Sequence, residues 1–276
     1  MTPYLETTGN SDEGESFPFA TSRILSNMHP VTDSRHLIEV LNAPSKGKGV
    51  FAKAAISRGT RIIAETALLP SKAGFDAEEL LASFNALTHT DQQAYLSLFS
   101  YVDPNFKREV EQGLRMPWNA IDARVRKVLA IAITNMFNQG VFLLGSRINH
   151  SCIPNVHFAF NQNLNKATFH AVREIDKGEE LTLSYIDSAN RTRAIRQSEL
   201  AQRGFKCTCP ACKNTRKSRK SEEQRAMLLV LDQELAILQH YGGGNMESWK
   251  HALESAQEVA AIQISLGLVT RVLSLK

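Results

Sequence analysis

Two short stretches hold most of the side chains able to do chemistry. "RINHSCIPN", Arg147 to Asn155, places Asn149, His150, Cys152 and Asn155 close together. "CTCPAC" supplies Cys207, Cys209 and Cys212, and with Cys152 these complete the chain's four cysteines. A CxCxxC spacing lets three thiolates converge on one ion, and a tetrahedral structural zinc site needs a fourth ligand. Cys152 is the only cysteine left to supply it, although eight histidines could substitute. The plainer account is a set of reduced, unrelated thiols, with Cys152 a small core residue. Asn149, His150 and Asn155 strain that account, because buried polar side chains need partners.

Composition removes several classes of function. The 276 residues are 43% apolar, enough for one large domain or a domain with a small appendage. Four cysteines at this length do not make a disulfide scaffold. The N-terminus lacks a basic head followed by an apolar run, so the expected location is nucleus or cytoplasm rather than secretion. The apolar runs are too short or too interrupted to span a membrane. A net charge of +4 decides little, and the basic run "KNTRKSRK", Lys213 to Lys220, reads first as a solvated linker. Direct nucleic-acid binding is therefore not expected. "KGKG" lacks the glycine spacing and context of a phosphate loop or dinucleotide fingerprint, and no GxSxG elbow supports a hydrolase.

The elements expected to position these residues form an α+β chain of short strands with an inserted helical block. Residues 1–34 read as a flexible leader rich in Ser, Thr, Asp, Glu, Gly and Pro. "HLIEVL", "VFAKAAI" and "TRIIAETALL" read as strands, with "APSKGKGV" a glycine-bearing turn. Residues 76–98 read as helix in two pieces capped by Asp76 and Thr88, and 119–138 as one longer helix. "NVHFAFN" and "ATFHAVREI" make a hairpin, and "DKGEELTLSYI" adds a turn and a strand. Helices are expected at 188–203, 218–240 and 247–265, the last two broken by "GGGN".

"RINHSCIPN", "GEELTLSY" and "CTCPAC", together with the upstream "KGKGVFA" of Lys46–Ala52, closely resemble the SET-domain methyltransferases that carry a cysteine-rich post-SET segment. All four elements match in order and separation over about Leu37 to Cys212. The block after "TRIIAETALLP", with "NMF" near its end, is most similar to the SMYD and fungal SET5-like branch; no cysteine precedes Cys152, so that branch's MYND finger is not expected.

The resemblance implies an S-adenosylmethionine (AdoMet)-dependent N-methyltransferase, acting most often on a lysine presented by a protein. It implies a SET domain at 35–203 with a helical insert at 71–138, a post-SET zinc segment at 204–214 and a C-terminal helical segment at 215–276. Tyr185 is the implied catalytic residue. Lys48, Gly49, Phe51, Asn135, Ser146, Asn149, His150, Tyr185 and Phe205 are the implied cofactor contacts. Cys152, Cys207, Cys209 and Cys212 are the implied zinc ligands. Glu180 is expected to support the Asn-His loop rather than to react. Arg203 stands where the branch often has an aromatic residue, which bears on acceptor choice. Two other functions stay open: a small-molecule amine as acceptor, or a zinc-stabilised binding protein with little turnover.

Overall fold

After Asp33 the apolar segments form short strands, some with one face buried, as in Val156–Asn161 and Glu180–Leu183, and some buried almost throughout, as in Arg61–Glu65. The structure, a computed structural model, describes residues 33–71, 76–188, 191–241 and 246–266. The expected leader falls outside the described residues except for its last two, and "GGGN" also lies outside them. Strand β1 (Ile38–Ala43) pairs antiparallel with β2 (Gly47–Ala52). The turn is therefore tighter than expected, and both glycines of "KGKG" belong to the strand. Gly47 has φ +76°, which suits a residue without a Cβ.

Strand β3 (Arg61–Glu65) and the short β4 (Leu69–Pro70) lead into the helical block. There α1 (Ala77–Asn85), α2 (His89–Leu96), α3 (Pro104–Gly113) and α4 (Ala123–Asn135) follow one another. Each opens on a side chain that accepts backbone N–H bonds: Asp76, Thr88, Asp103 and Asp122. Such a cap contributes on the order of 1 kcal/mol. Helix α3 was not expected, although Asp103 followed by Pro104 is a start signal. Helix α4 is shorter at both ends than 119–138. Residues Trp118–Ala120 form a separate tight turn, and Met136–Phe137 leaves the helix as β5 to pair with β6 (Gly140–Val141). Sheet pairing, a tertiary effect, wins there over helical periodicity.

Strands β7 (Asn149–His150), β8 (Val156–Asn161), β9 (Lys166–Ala171) and β10 (Glu180–Leu183) complete three small sheets, ordered β1-β2-β10-β7, β3-β9-β8 and β4-β6-β5. The β8–β9 hairpin is the expected one. β7 runs parallel to β10, with Thr182 opposite Asn149 and Leu183 opposite His150. This pairing sets the Asn-His stretch beside the strand that leads into Tyr185. Between the sheets lies an apolar core that includes Ile62, Ile63, Phe142, Phe169 and Leu181. Phe137, Phe142, Phe158 and Phe169 meet at tilted or edge-on angles, with ring centroids 4.7–6.3 Å apart, the separations aromatic pairs prefer. Helix α5 (Arg193–Ala201) precedes the cysteine run, and α6 (Arg216–Tyr241) and α7 (Met246–Ser265) follow it. No helix among the described residues is long and apolar enough to cross a membrane.

Candidate active site and metal centre

The polar side chains of "RINHSCIPN" all find partners, and those partners assemble the site. Asn149 Nδ2 donates to the Lys48 carbonyl at 3.0 Å and to Glu180 Oε1 at 2.8 Å. Glu180 also takes the Lys46 ammonium at 2.6 Å. The carboxylate thus staples the "KGKG" strand to the Asn-His loop, the supporting place expected of it. Gly49 sits under this staple. A Cβ there would lie 3.0 Å from Ala43 Cβ, Asn149 Nδ2 and Glu180 Oε1, so a side chain at this position would push these neighbours aside. Asn155, almost fully buried, donates to the Glu180 carbonyl at 2.9 Å and accepts from Thr182 N at 2.7 Å, locking β10 to the same loop.

His150 and Tyr185 are tied to each other. The Tyr185 backbone N–H donates to His150 Nδ1 at 3.0 Å, and the Tyr185 hydroxyl donates to the Ile148 carbonyl at 2.7 Å. The rings of His150, Tyr185 and Phe205 lie 5.4, 5.9 and 6.4 Å apart pairwise. Burial pushes the Tyr185 phenol up to about 12, opposed by the Arg203 cation and reinforced by Glu180. The phenol is therefore protonated at neutral pH and acts as a hydrogen-bond donor, not a base. Burial pulls His150 down to about 4, so its imidazole is neutral. The Arg203 guanidinium lies 5.8 Å over the Tyr185 ring.

Ser146 lies on a single tight turn, Gly145–Arg147. Glu65 holds that turn by accepting from Leu144 N at 2.9 Å and Gly145 N at 3.0 Å. Burial nevertheless raises the Glu65 carboxyl above its ordinary value. The Ser146 hydroxyl is buried without a hydrogen-bond partner, an orphan that a bound polar group would satisfy. Asn135 is engaged differently: its amide donates to the carbonyls of Phe99 at 2.7 Å and Ile131 at 2.8 Å, closing α4. Phe51 stands opposite Glu180 in the β2–β10 pairing. Next to Phe205 a groove of about 450 Å³ is lined by Tyr101, Gln197, Ala201, Gly204, Phe205 and Lys206. Gly204 has φ +83°, and a Cβ there would come within 2.5 Å of the Tyr101 ring. Tyr101 was not singled out from sequence; it belongs to a loop of the helical block.

The four sulfur atoms of Cys152, Cys207, Cys209 and Cys212 lie within 4.8 Å of one another, and none is in a disulfide. Cys152 Sγ is 4.0 Å from Cys207 Sγ and 3.6 Å from Cys212 Sγ. Four thiolates around zinc at about 2.3 Å in a tetrahedron would stand about 3.8 Å apart, so the donor set fits that ion. The four thiols are coupled: the neighbouring Cys207, then Cys209 and Cys212, push the Cys152 thiol up, while Cys152 and then Cys207 pull the Cys209 thiol down. A cation at the centre would make all four thiolates useful as ligands.

Charged residues that sequence reasoning missed surround this node. Arg196 and Arg225 are fully buried. Arg196 donates to Glu222 at 2.7 Å and to Cys212 Sγ at 3.8 Å. Arg225, whose guanidinium is pulled down by burial, donates to the carbonyls of Ser188 and Cys152. Gln197 clips α5 to the cysteine run by exchanging two bonds with the Cys207 backbone. A signal existed: Arg196 lies four residues before buried Leu200, and Arg225 three before buried Leu228, so each sits on the inward stripe of its helix.

The SET domain profile matches residues 47–186, half of the chain. The chain belongs to the SET-domain family. It is 35% identical over 226 residues to histone-lysine N-methyltransferase set5 of Schizosaccharomyces pombe, covering 80% of this chain and 66% of that protein. It is 36% identical over 85 residues to protein-lysine N-trimethyltransferase SMYD5 of Mus musculus, covering 28% and 20%. With histone-lysine N-methyltransferase ATXR4 of Arabidopsis thaliana it shares 32% over 133 residues, 40% of each chain. The chain thus spans at most about two-thirds of these relatives. The SET-domain match takes in Gly49, Asn149, His150, Cys152 and Tyr185, whereas Phe205 and the CxCxxC run lie beyond its end.

Proposed function

We propose that this SET domain moves a methyl group from AdoMet to the amine of a protein lysine. Residues 204–214 would serve as a post-SET segment organised by zinc on Cys152, Cys207, Cys209 and Cys212. The observation that carries the reading is the packing of the Tyr185 ring against His150 and Phe205, with its hydroxyl anchored on Ile148, beside the staple of Asn149 to the Lys48 carbonyl and Glu180. When bound, AdoMet supplies an electrophilic sulfonium methyl. Ser146, Asn149, His150 and the Lys48–Phe51 strand would hold it, and the orphaned Ser146 hydroxyl and the close packing at Gly49 support that assignment. The amide donors of Asn135 are spent on the Phe99 and Ile131 carbonyls, as those of Asn149 are on the Lys48 carbonyl and Glu180, so either would meet the cofactor through its amide oxygen or backbone.

Catalysis by this chain is chiefly alignment. The protonated Tyr185 phenol orients groups through its oxygen, and the aromatic walls exclude water from an amine that must arrive neutral. The reading fits a protein of the nucleus or cytoplasm, with 35–203 as the SET domain, 71–138 its insert and 215–276 a helical extension. Two measurements test it. Calorimetric titration of the zinc-loaded protein should register AdoMet binding; no binding would end the reading. A screen of intact proteins and small amines should then find the acceptor, with lysine-bearing proteins preferred. On that acceptor Tyr185→Phe should bind AdoMet nearly as well as wild type and turn over about 10²-fold slower. Near-wild-type turnover would remove Tyr185 from the role.

A further inference from the structure

We propose that His150 is a positioning residue through which the metal at Cys152 controls the placement of Tyr185. The argument rests on hydrogen-bond polarity. A backbone N–H can only donate, and that of Tyr185 points at His150 Nδ1 from 3.0 Å. Nδ1 must therefore be bare, and the neutral ring carries its proton on Nε2. Nε2 lies 3.3 Å from Cys152 Sγ. The imidazole thus receives a bond from the residue that orients the acceptor and gives one to a metal ligand.

The second bond depends on the state of the sulfur. A metal-bound thiolate is a charge-bearing acceptor, whereas a thiol is a weak one. Loss of the ion weakens the grip on Nε2–H, frees the ring to turn, and withdraws the acceptor from the Tyr185 amide. Tyr185 is exposed to this because both of its polar groups are tied to 148–150, the hydroxyl to Ile148 and the amide to His150. The 149–150 strand is two residues long: it is paired to β10, continued by Ser151 N donating to the Leu183 carbonyl at 2.8 Å, and tied at Asn149 to Lys48 and Glu180, whereas the His150 side chain is held by Tyr185 N and Cys152 Sγ. The inference rests on the zinc and Tyr185 assignments above and adds a directed link between them.

The test uses the full chain in zinc- or cadmium-loaded and metal-stripped forms. Nitrogen NMR of histidine-labelled, metal-loaded protein should show His150 as the Nε2–H tautomer. With cadmium in place, a scalar coupling across the N–H···S bond should join that proton to the metal. Stripping the metal should accelerate amide exchange at Tyr185 by about 10-fold or more, the effect of losing one hydrogen bond. In His150→Phe, the Tyr185 amide should exchange fast whether or not metal is bound. Should that variant not fold, the wild-type measurements decide alone. An Nδ1–H tautomer, or Tyr185 exchange indifferent to metal, overturns the proposal while leaving the zinc site standing. A folded protein that binds no metal overturns the zinc assignment and the proposal together.

Discussion

The sheet core and the cysteine node bury their side chains by different physics. Phe142 and Phe169 belong to a cluster of buried apolar side chains, and stability there follows from area removed from water and from close packing. Around Cys152 the apolar contribution is small, from Leu200 and Ala211 with partly buried neighbours. The rest is charge: four sulfurs, two fully buried arginines and Glu222. The first region tolerates any solvent condition that preserves the hydrophobic effect. The second is stable only while opposite charges remain matched, since an uncompensated buried charge costs several kcal/mol. The candidate active site lies on the seam, with Asn149 held from the sheet side and His150 facing the node.

Four interventions should separate the two regions, in falling order of effect. Removing the metal by chelation, or Cys207→Ser, should melt the node while sparing the sheets, because structural zinc is bound with folding free energy on the order of 10 kcal/mol. Hydrogen exchange should show residues 203–231 losing protection and β8–β9 keeping theirs; uniform loss across both would deny the division. Phe169→Ala should cost about 4 kcal/mol. Denaturant melts should return the same loss with and without metal, and a loss that vanishes on stripping would couple the regions. Glu222→Gln leaves the Arg196 guanidinium without its carboxylate and should cost about 3 kcal/mol. That loss should shrink in metal-stripped protein, where the node has already opened. Arg203→Met removes a guanidinium that lies over the Tyr185 ring and is itself exposed, so stability should move by less than about 1 kcal/mol. Its effect belongs instead in the acceptor screen, as a changed preference among amines.

The expected caps show how far local chemistry reaches. Asp76 and Thr88 start helices where their short polar side chains can accept neighbouring N–H groups, a decision made within three residues. Asp103–Pro104 carries the same signal at the start of α3. The β8–β9 hairpin and β10 were legible because alternation records which face is buried. Failures came where distant segments intervene. The end of α4 moved because Met136–Phe137 found strand partners, and the glycines of "KGKG" became strand because β1 pairs along them.

The amino-acid sequence by itself determined the inventory of candidate ligands: four cysteines, three of them spaced to meet at one point, and a loop whose polar residues had to be satisfied. It also determined most strands and caps, since these follow from periodicity and from hydrogen bonds between near neighbours. Only the tertiary structure decided which partners satisfied that loop. Glu180 reaches Asn149 across 31 residues, Tyr185 reaches His150 across 35, and Arg225 reaches Cys152 across 73. The donor and acceptor roles of His150 follow from that last layer, because a ring nitrogen's proton is set by whichever group the fold brings against it. Composition and spacing carry no record of that approach.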